Sequence, residues 1–213
     1  MIFWILPALA YFIGSISFAW ISGRIKGVDL RQHGSGNLGA TNAGRVLGKH
    51  WFFLVFSADV AKGLLPVLAA VHLPARLEIA VPGQAYLGIA TAVGAVLGHV
   101  FTCFHGFKGG KAVATSLGVL IALLPLVAAA GFGVWLVVYL IALSVFKQGG
   151  SGSVGPASVF AAIAAPALHV VFSPDPWNTD LPRTVFITAL ALLVIIKHRS
   201  NIAKMLGKAK PPA

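Results

Sequence analysis

The chain has 213 residues, 58% of them hydrophobic and only 10% charged, with a mean hydropathy of +0.89. A soluble domain carries about 25% charged residues, so this composition excludes a soluble globular domain and a disordered chain and points to a polytopic membrane protein. Sixteen Lys and Arg against five Asp and Glu give a net charge of +11; because the basic residues lie mostly between apolar runs, they suit membrane lipid headgroups or phosphate-bearing substrates and not nucleic acid.

Apolar segments fall at about 2–22, 51–71, 84–104, 112–146, 156–172 and 182–198. The first has no basic residue ahead of Arg24. It lacks the positive stretch of a signal peptide and is expected to be a retained helix. The fourth is far longer than the roughly 20 residues a crossing needs, and Pro125 divides it into a short helix, 112–124, and a fuller one, 126–146. The expectation is an all-α, polytopic integral membrane protein of seven transmembrane helices, a single domain over 1–213, with the N-terminus outside and the C-terminus cytoplasmic.

Charge placement tests that count. With alternating sides, the inside segments hold Arg24, Lys26, Arg31, Arg45, Lys49, Lys108, Lys111, Lys147, Lys197, Arg199, Lys204, Lys208 and Lys210. Arg76 and Arg183 remain outside, with the acids Glu78, Asp175 and Asp180. That is the distribution the positive-inside rule demands, and a single helix over 112–146 would put the basic tail on the wrong side. The helix 112–124, about 20 Å long, is expected to be tilted, shielded by neighbours or not fully spanning. The one cysteine, Cys103, cannot form an internal disulfide.

The inside loops carry the chemistry. In the first, Gly34, Gly36 and Gly39 permit positive φ and close approach of backbone to a ligand, and successive N–H groups in such a turn make an anion-binding nest. Ser35, Asn37, Thr41 and Asn42 add short donors, and Arg45 adds a forked charge suited to phosphate. The same glycines match a dinucleotide fingerprint, with Asp59 twenty positions after Gly39. That fingerprint requires a preceding strand; here a membrane helix precedes it, so the nucleotide reading fails.

In the second inside loop, Lys108 and Lys111 flank Gly109-Gly110 at the start of a helix. Positive side chains plus free N–H groups there predict a second phosphate cradle. His99, Cys103 and His105 do not form a convincing metal set, and no metal or cofactor is expected. The third loop, Lys147 to Pro156, is a Gly/Ser cluster that reads as a linker ahead of a helix. If the last helix continues through Lys197, His198 and Asn201 lie three apart on one face at the membrane surface, where a histidine can poise a proton. Within the second span, Asp59 and Lys62 are i,i+3 neighbours able to pair, either as a functional pair or as a structural brace.

Gly34-Ser-Gly-Asn-Leu-Gly-Ala-Thr-Asn42, Asp59-x-x-Lys62-Gly63, Gly98-His99-x-Phe101, Gly106-Phe-Lys-Gly-Gly-Lys111 and His198-Arg-x-Asn201-Ile202 occur in that order along nearly the whole chain. Together they resemble the bacterial acyl-phosphate:glycerol-3-phosphate acyltransferases (PlsY type). The resemblance implies an enzyme of the bacterial inner membrane with its active site at the cytoplasmic face. Such an enzyme transfers an acyl chain from acyl phosphate to the 1-hydroxyl of glycerol 3-phosphate, giving lysophosphatidic acid and phosphate with no cofactor. It further implies that Ser35, Gly36, Asn37, Thr41 and Arg45 belong to one substrate loop, Lys108 and Lys111 to another, and His198 and Asn201 to a terminal motif. The family's Arg-Tyr ahead of a Ser-rich run has no counterpart in Gln148–Ser158; Ser153 is the best match to its functional serine, with Ser151 and Ser158 as competitors. The competing class is a membrane transporter for phosphate or a phosphate ester. Chain-length preference and oligomeric state are not legible.

Overall fold

The structure, a computed structural model, describes residues 2–76, 84–144 and 149–207. Among them it is all helical: α1 (Ile2–Ser15), α2 (Phe18–Ile25), α3 (Ala40–Leu47), α4 (Lys49–Arg76), α5 (Gln84–Val100), a 3-10 turn (Cys103–His105), α6 (Val113–Leu123), α7 (Pro125–Ser144), α8 (Gly150–Phe172), α9 (Leu181–Lys197) and α10 (Arg199–Met205). Glu78, Lys147, Gln148, Lys208 and Lys210 lie outside the described residues. Five segments are long and apolar enough to cross a membrane, or six if α9 and α10, bent by 64°, form one span; α6 is apolar but shorter. These helices occupy the six apolar segments read from the sequence, the fourth of them divided as expected: Leu124 alone separates α6 from α7 at Pro125.

The chain forms two compact units, Met1–Pro125 and Leu126–Ala213. In the first, α1 packs along α5, and α4 packs on α3, α5 and α6. Small residues allow backbones to meet where lipid supplies no hydrophobic drive. A methyl added at Gly94 would strike the Pro7 carbonyl, one at Gly98 the Tyr11 carbonyl, and one at Gly118 the Val60 carbonyl.

The first apolar segment is broken at Ile16–Ser17. Ser17 caps α2, its hydroxyl accepting from the Trp20 N–H at 3.2 Å. A break at membrane depth survives only where its backbone groups find partners. Here Lys62 Nζ donates to the Ile16 carbonyl at 2.8 Å, and the Thr102 hydroxyl donates to the Ser15 carbonyl at 2.7 Å.

In the second unit α8 packs against α9 and α10. The Gly/Ser cluster expected to be a linker is instead the first turns of α8, which starts at Gly150, with Ser153, Gly155 and Pro156 buried. Small side chains made the stretch look like a loop, whereas burial against a neighbour stabilises it as helix. Nor does the last helix run straight through: it ends at Lys197, and His198 (φ −96°, ψ 10°) is the joint to α10.

Candidate active site

In the first loop a single buried side chain organises the backbone. Asn42, 1% exposed, accepts from the Ser35 N–H at 2.8 Å and donates to the carbonyls of Leu30 at 3.0 Å and His33 at 3.1 Å. Its amide is thus spent on shaping the loop, a supporting task and not the ligand-facing one its residue type suggested. Gly34 and Gly36 do take positive φ (64° and 68°), as expected. Gly39 does not: at φ −152° it is extended and stands as N-cap of α3 without a side-chain cap. The first-turn N–H groups at Ala40 and Thr41 therefore emerge as at any helix start, and Thr41 and Arg45 share a face one turn apart. Ser35 and Gly36 are exposed and Asn37 half-buried at the loop surface. Nearby, Arg31 makes a forked ion pair with Asp29 at 2.7 Å, and hydrogen bonds from the Arg31 side chain and backbone hold the Asp29 carboxyl down at about 2.

The second loop doubles back on the end of α5. Phe107 N–H donates to the Thr102 carbonyl (2.9 Å), Gly109 N–H to Val100 (3.1 Å) and Gly110 N–H to His99 (3.1 Å). The glycine N–H groups expected to face a phosphate are therefore engaged. The pair is glycine for space: a methyl at Gly109 would overlap the His99 carbonyl, and one at Gly110 would overlap His99 Nε2 and come 2.9 Å from the Leu38 carbonyl. The left-handed positions fall instead on Gly106, Phe107 and Ala112. Lys108 is exposed and Lys111 half-buried.

Behind this loop lies a buried polar network. Lys62 and Asp59, 5% and 3% exposed, pair at 2.8 Å. The same Asp59 oxygen is 3.8 Å from His99 Nδ1, which is 3.1 Å from the Thr115 hydroxyl. The two glycine loops meet here: Leu38, Lys62, His99, Thr102, Gly109 and Gly110 line one narrow cleft together with the α1–α2 break. Thr102, Thr115 and the break itself were not read from the sequence. A threonine in an apolar helix shows no partner until the fold brings one from another helix.

In the second unit His198, 3% exposed, has Nδ1 2.8 Å from the Val194 carbonyl. A carbonyl only accepts, so Nδ1 carries the hydrogen and Nε2 is the basic nitrogen of the neutral ring. The Asn201 side chain rests on Gly155 of α8, where an added methyl would overlap its amide nitrogen. At 3.6 residues per turn, Ser151 and Ser158 share the Gly155 side of α8, whereas Ser153, fully buried, points to the opposite side. Ser158 donates to the Val154 carbonyl at 2.8 Å and accepts from Trp135 Nε1 at 3.3 Å.

The family model for glycerol-3-phosphate acyltransferase matches residues 4–208. This chain belongs to that family. Similar relatives include the glycerol-3-phosphate acyltransferases of Aquifex aeolicus, 40% identical with 94% of each chain covered, and of Synechococcus elongatus, 38% identical over 95% of this chain and 90% of that one. Among solved structures, the fold resembles the glycerol 3-phosphate form of PlsY (YgiH), an integral membrane glycerol 3-phosphate acyltransferase. The TM-score is 0.79 and the identity 37%, over 98% of this chain and 94% of that one. The lysophosphatidic acid form of the same protein matches with a TM-score of 0.76 and 36% identity over the same shares. The family is thus one of integral membrane proteins, in keeping with the apolar helices of this chain.

Proposed function

We propose that this chain acylates glycerol 3-phosphate, taking the acyl group from acyl phosphate and releasing lysophosphatidic acid and inorganic phosphate. The observation that carries the reading is the resemblance, over nearly the whole chain, to a protein solved in both a glycerol 3-phosphate and a lysophosphatidic acid form. The approach of Gly110 in the second glycine loop to the Leu38 carbonyl of the first, which brings the two loops side by side, supports it from this chain's own geometry. Seven crossings, an outside N-terminus, and loops at the cytoplasmic face of a bacterial inner membrane complete the proposal, supported by the charge asymmetry of the segments.

The reaction requires two phosphates to be held close and one carbonyl polarised. Ser35, Gly36, Asn37, Thr41 and Arg45, with the loop shaped by Gly39 and Asn42, bind one phosphate; Lys108 and Lys111, on the backbone set by Gly109, Gly110 and His99, bind the other. Asp59 and Lys62 stand behind His99 and hold it. The 1-hydroxyl oxygen attacks the acyl carbonyl carbon, the bond from that carbon to the phosphate oxygen breaks, and phosphate leaves with the electron pair. By resemblance, His198 is assigned the hydroxyl proton, Asn201 the developing oxyanion and Ser153 the role of the functional serine. A mixed anhydride has a good leaving group, so positioning and charge stabilisation supply most of the acceleration.

The test is a donor comparison with purified protein in nanodiscs. Acyl phosphate plus glycerol 3-phosphate is expected to yield lysophosphatidic acid and phosphate in equal amounts, and acyl-coenzyme A none. Counterflow of glycerol 3-phosphate in sealed vesicles without lipid product would overturn the reading in favour of transport.

A further inference from the structure

The segment Phe101–Gly110 has two unlike faces. Its inner face is the cleft side, where Thr102, Gly109 and Gly110 pack on α1 and α5. Its outer face displays Phe101, Phe104 and Phe107, which are 42%, 59% and 62% exposed. A concavity of about 310 Å³ is lined by Phe104 and His105 of the 3-10 turn and by Trp20 and Ile21 of α2. The Trp20 ring meets His105 at a 39° tilt with centroids 4.9 Å apart, and Ile25, 67% exposed, continues the apolar side of α2 one turn beyond Ile21. Cations border this surface: the Arg24 guanidinium lies 5.0 Å over the Trp20 ring, and Lys108 follows Phe107 directly.

The display is built in. Phe107 holds φ at 59°, a region where a bulky residue is a genuine outlier, and its N–H is fixed to the Thr102 carbonyl at 2.9 Å. With the following N–H groups also engaged, the backbone holds the rings outward. Large rings displayed on a non-helical loop are unfavourable in water. Aromatic rings flanked by Arg and Lys have the composition of a membrane-interface anchor, with the rings at headgroup level and the cations on lipid phosphates.

We propose that Phe104, Phe107 and the Trp20–Ile21 side of α2 form a wedge seated in the headgroup–acyl boundary of the bilayer, with Arg24 on lipid phosphates. The wedge sets the depth of the cleft, because the same ten residues carry rings on one face and Gly109-Gly110 on the other. Its relevance to an amphiphilic acyl donor rests on the proposed function; the wedge itself does not, and its test needs no turnover.

Cys103 is the single cysteine and, half-buried, immediately precedes Phe104, so the full chain can carry an environment-sensitive fluorophore there with no substitution. The labelled protein is placed in phosphatidylcholine–phosphatidylglycerol vesicles containing nitroxide lipids labelled at the headgroup, the upper chain or the chain end. For a face sunk about 5–10 Å into the boundary, headgroup and upper-chain labels should quench at least about two-fold more than chain-end labels. Quenching by aqueous iodide alone, or strongest quenching from the chain end, would overturn the placement. Protection from both iodide and lipid labels would mean that a second copy covers the face, and would overturn it too. The variant Phe104→Ser/Phe107→Gly keeps a residue that accepts positive φ at 107. It should shift the label toward iodide, with detergent-melting curves verifying the fold; an unchanged depth would show that the rings do not anchor.

Discussion

Gly36 and Gly110 both sit in glycine-rich loops of the first unit, yet they are glycine for different reasons. Gly36 has a left-handed backbone and moderate room, with the Arg31 carbonyl 3.1 Å from where its Cβ would be. Gly110 has no positive φ, and its missing side chain is the space that His99 and Leu38 fill. One loop uses glycine for conformation and is clasped by Asn42. The other uses it for volume and is braced by a buried Asp59–Lys62–His99 network. Similar composition therefore hides two devices, and substitutions can tell them apart.

The largest effect is expected behind the second loop. Asp59→Asn leaves Lys62 buried without its counter-charge and should cost about 3–5 kcal/mol, read as a drop in melting temperature in detergent. Asp59→Asn combined with Lys62→Met should recover part of that loss, since an apolar pair leaves no stranded charge. No recovery would show that the pair does more than neutralise itself.

A smaller effect separates the two glycines directly. Gly110→Ala overpacks His99 and should cost about 1–3 kcal/mol, with Gly110→Asn at least as harmful. Gly36→Ala should cost about 1 kcal/mol, with part of it restored by Gly36→Asn, because asparagine tolerates the left-handed region. Equal responses to alanine and asparagine at both positions would erase the distinction.

The smallest effect is one of pH. The Asp29 carboxyl is lowered from 3.8 to about 2 by Arg31, so the folded loop favours the ionised form. Its contribution is fully present above about pH 4 and fades as pH falls toward 2. Hydrogen exchange in residues 29–36 should quicken in that window and be restrained again on return to neutral pH. The stretch from Phe101 to Lys111 contains no carboxylate of its own and should show no such local step.

Much of this was legible in the residues. The apolar segments, the division at Pro125 and the left-handed Gly34 and Gly36 follow from length, ring chemistry and the absence of a side chain. The i,i+3 spacing likewise foretold that Asp59 and Lys62 would pair. Their further contacts, the Ile16 carbonyl and His99, lie dozens of residues away and are set only by the packing of α4 on α1 and α5. The start of α8 at Gly150 was hidden because glycine and serine have weak helix preference, which burial overrides. The 64° bend at His198 has neither proline nor glycine to announce it. Phe107 and Ala112 at positive φ could not be anticipated, since residues with a side chain ordinarily avoid that region.

The division of labour between binding loops and a basic histidine is tested most directly by steady-state kinetics of Arg45→Ala, Lys111→Ala and His198→Ala, with acyl phosphate and glycerol 3-phosphate both varied. Arg45→Ala and Lys111→Ala should raise KM, and His198→Ala should lower kcat by about 10²-fold or more. A His198→Ala enzyme with normal kcat and a raised KM would contradict the account.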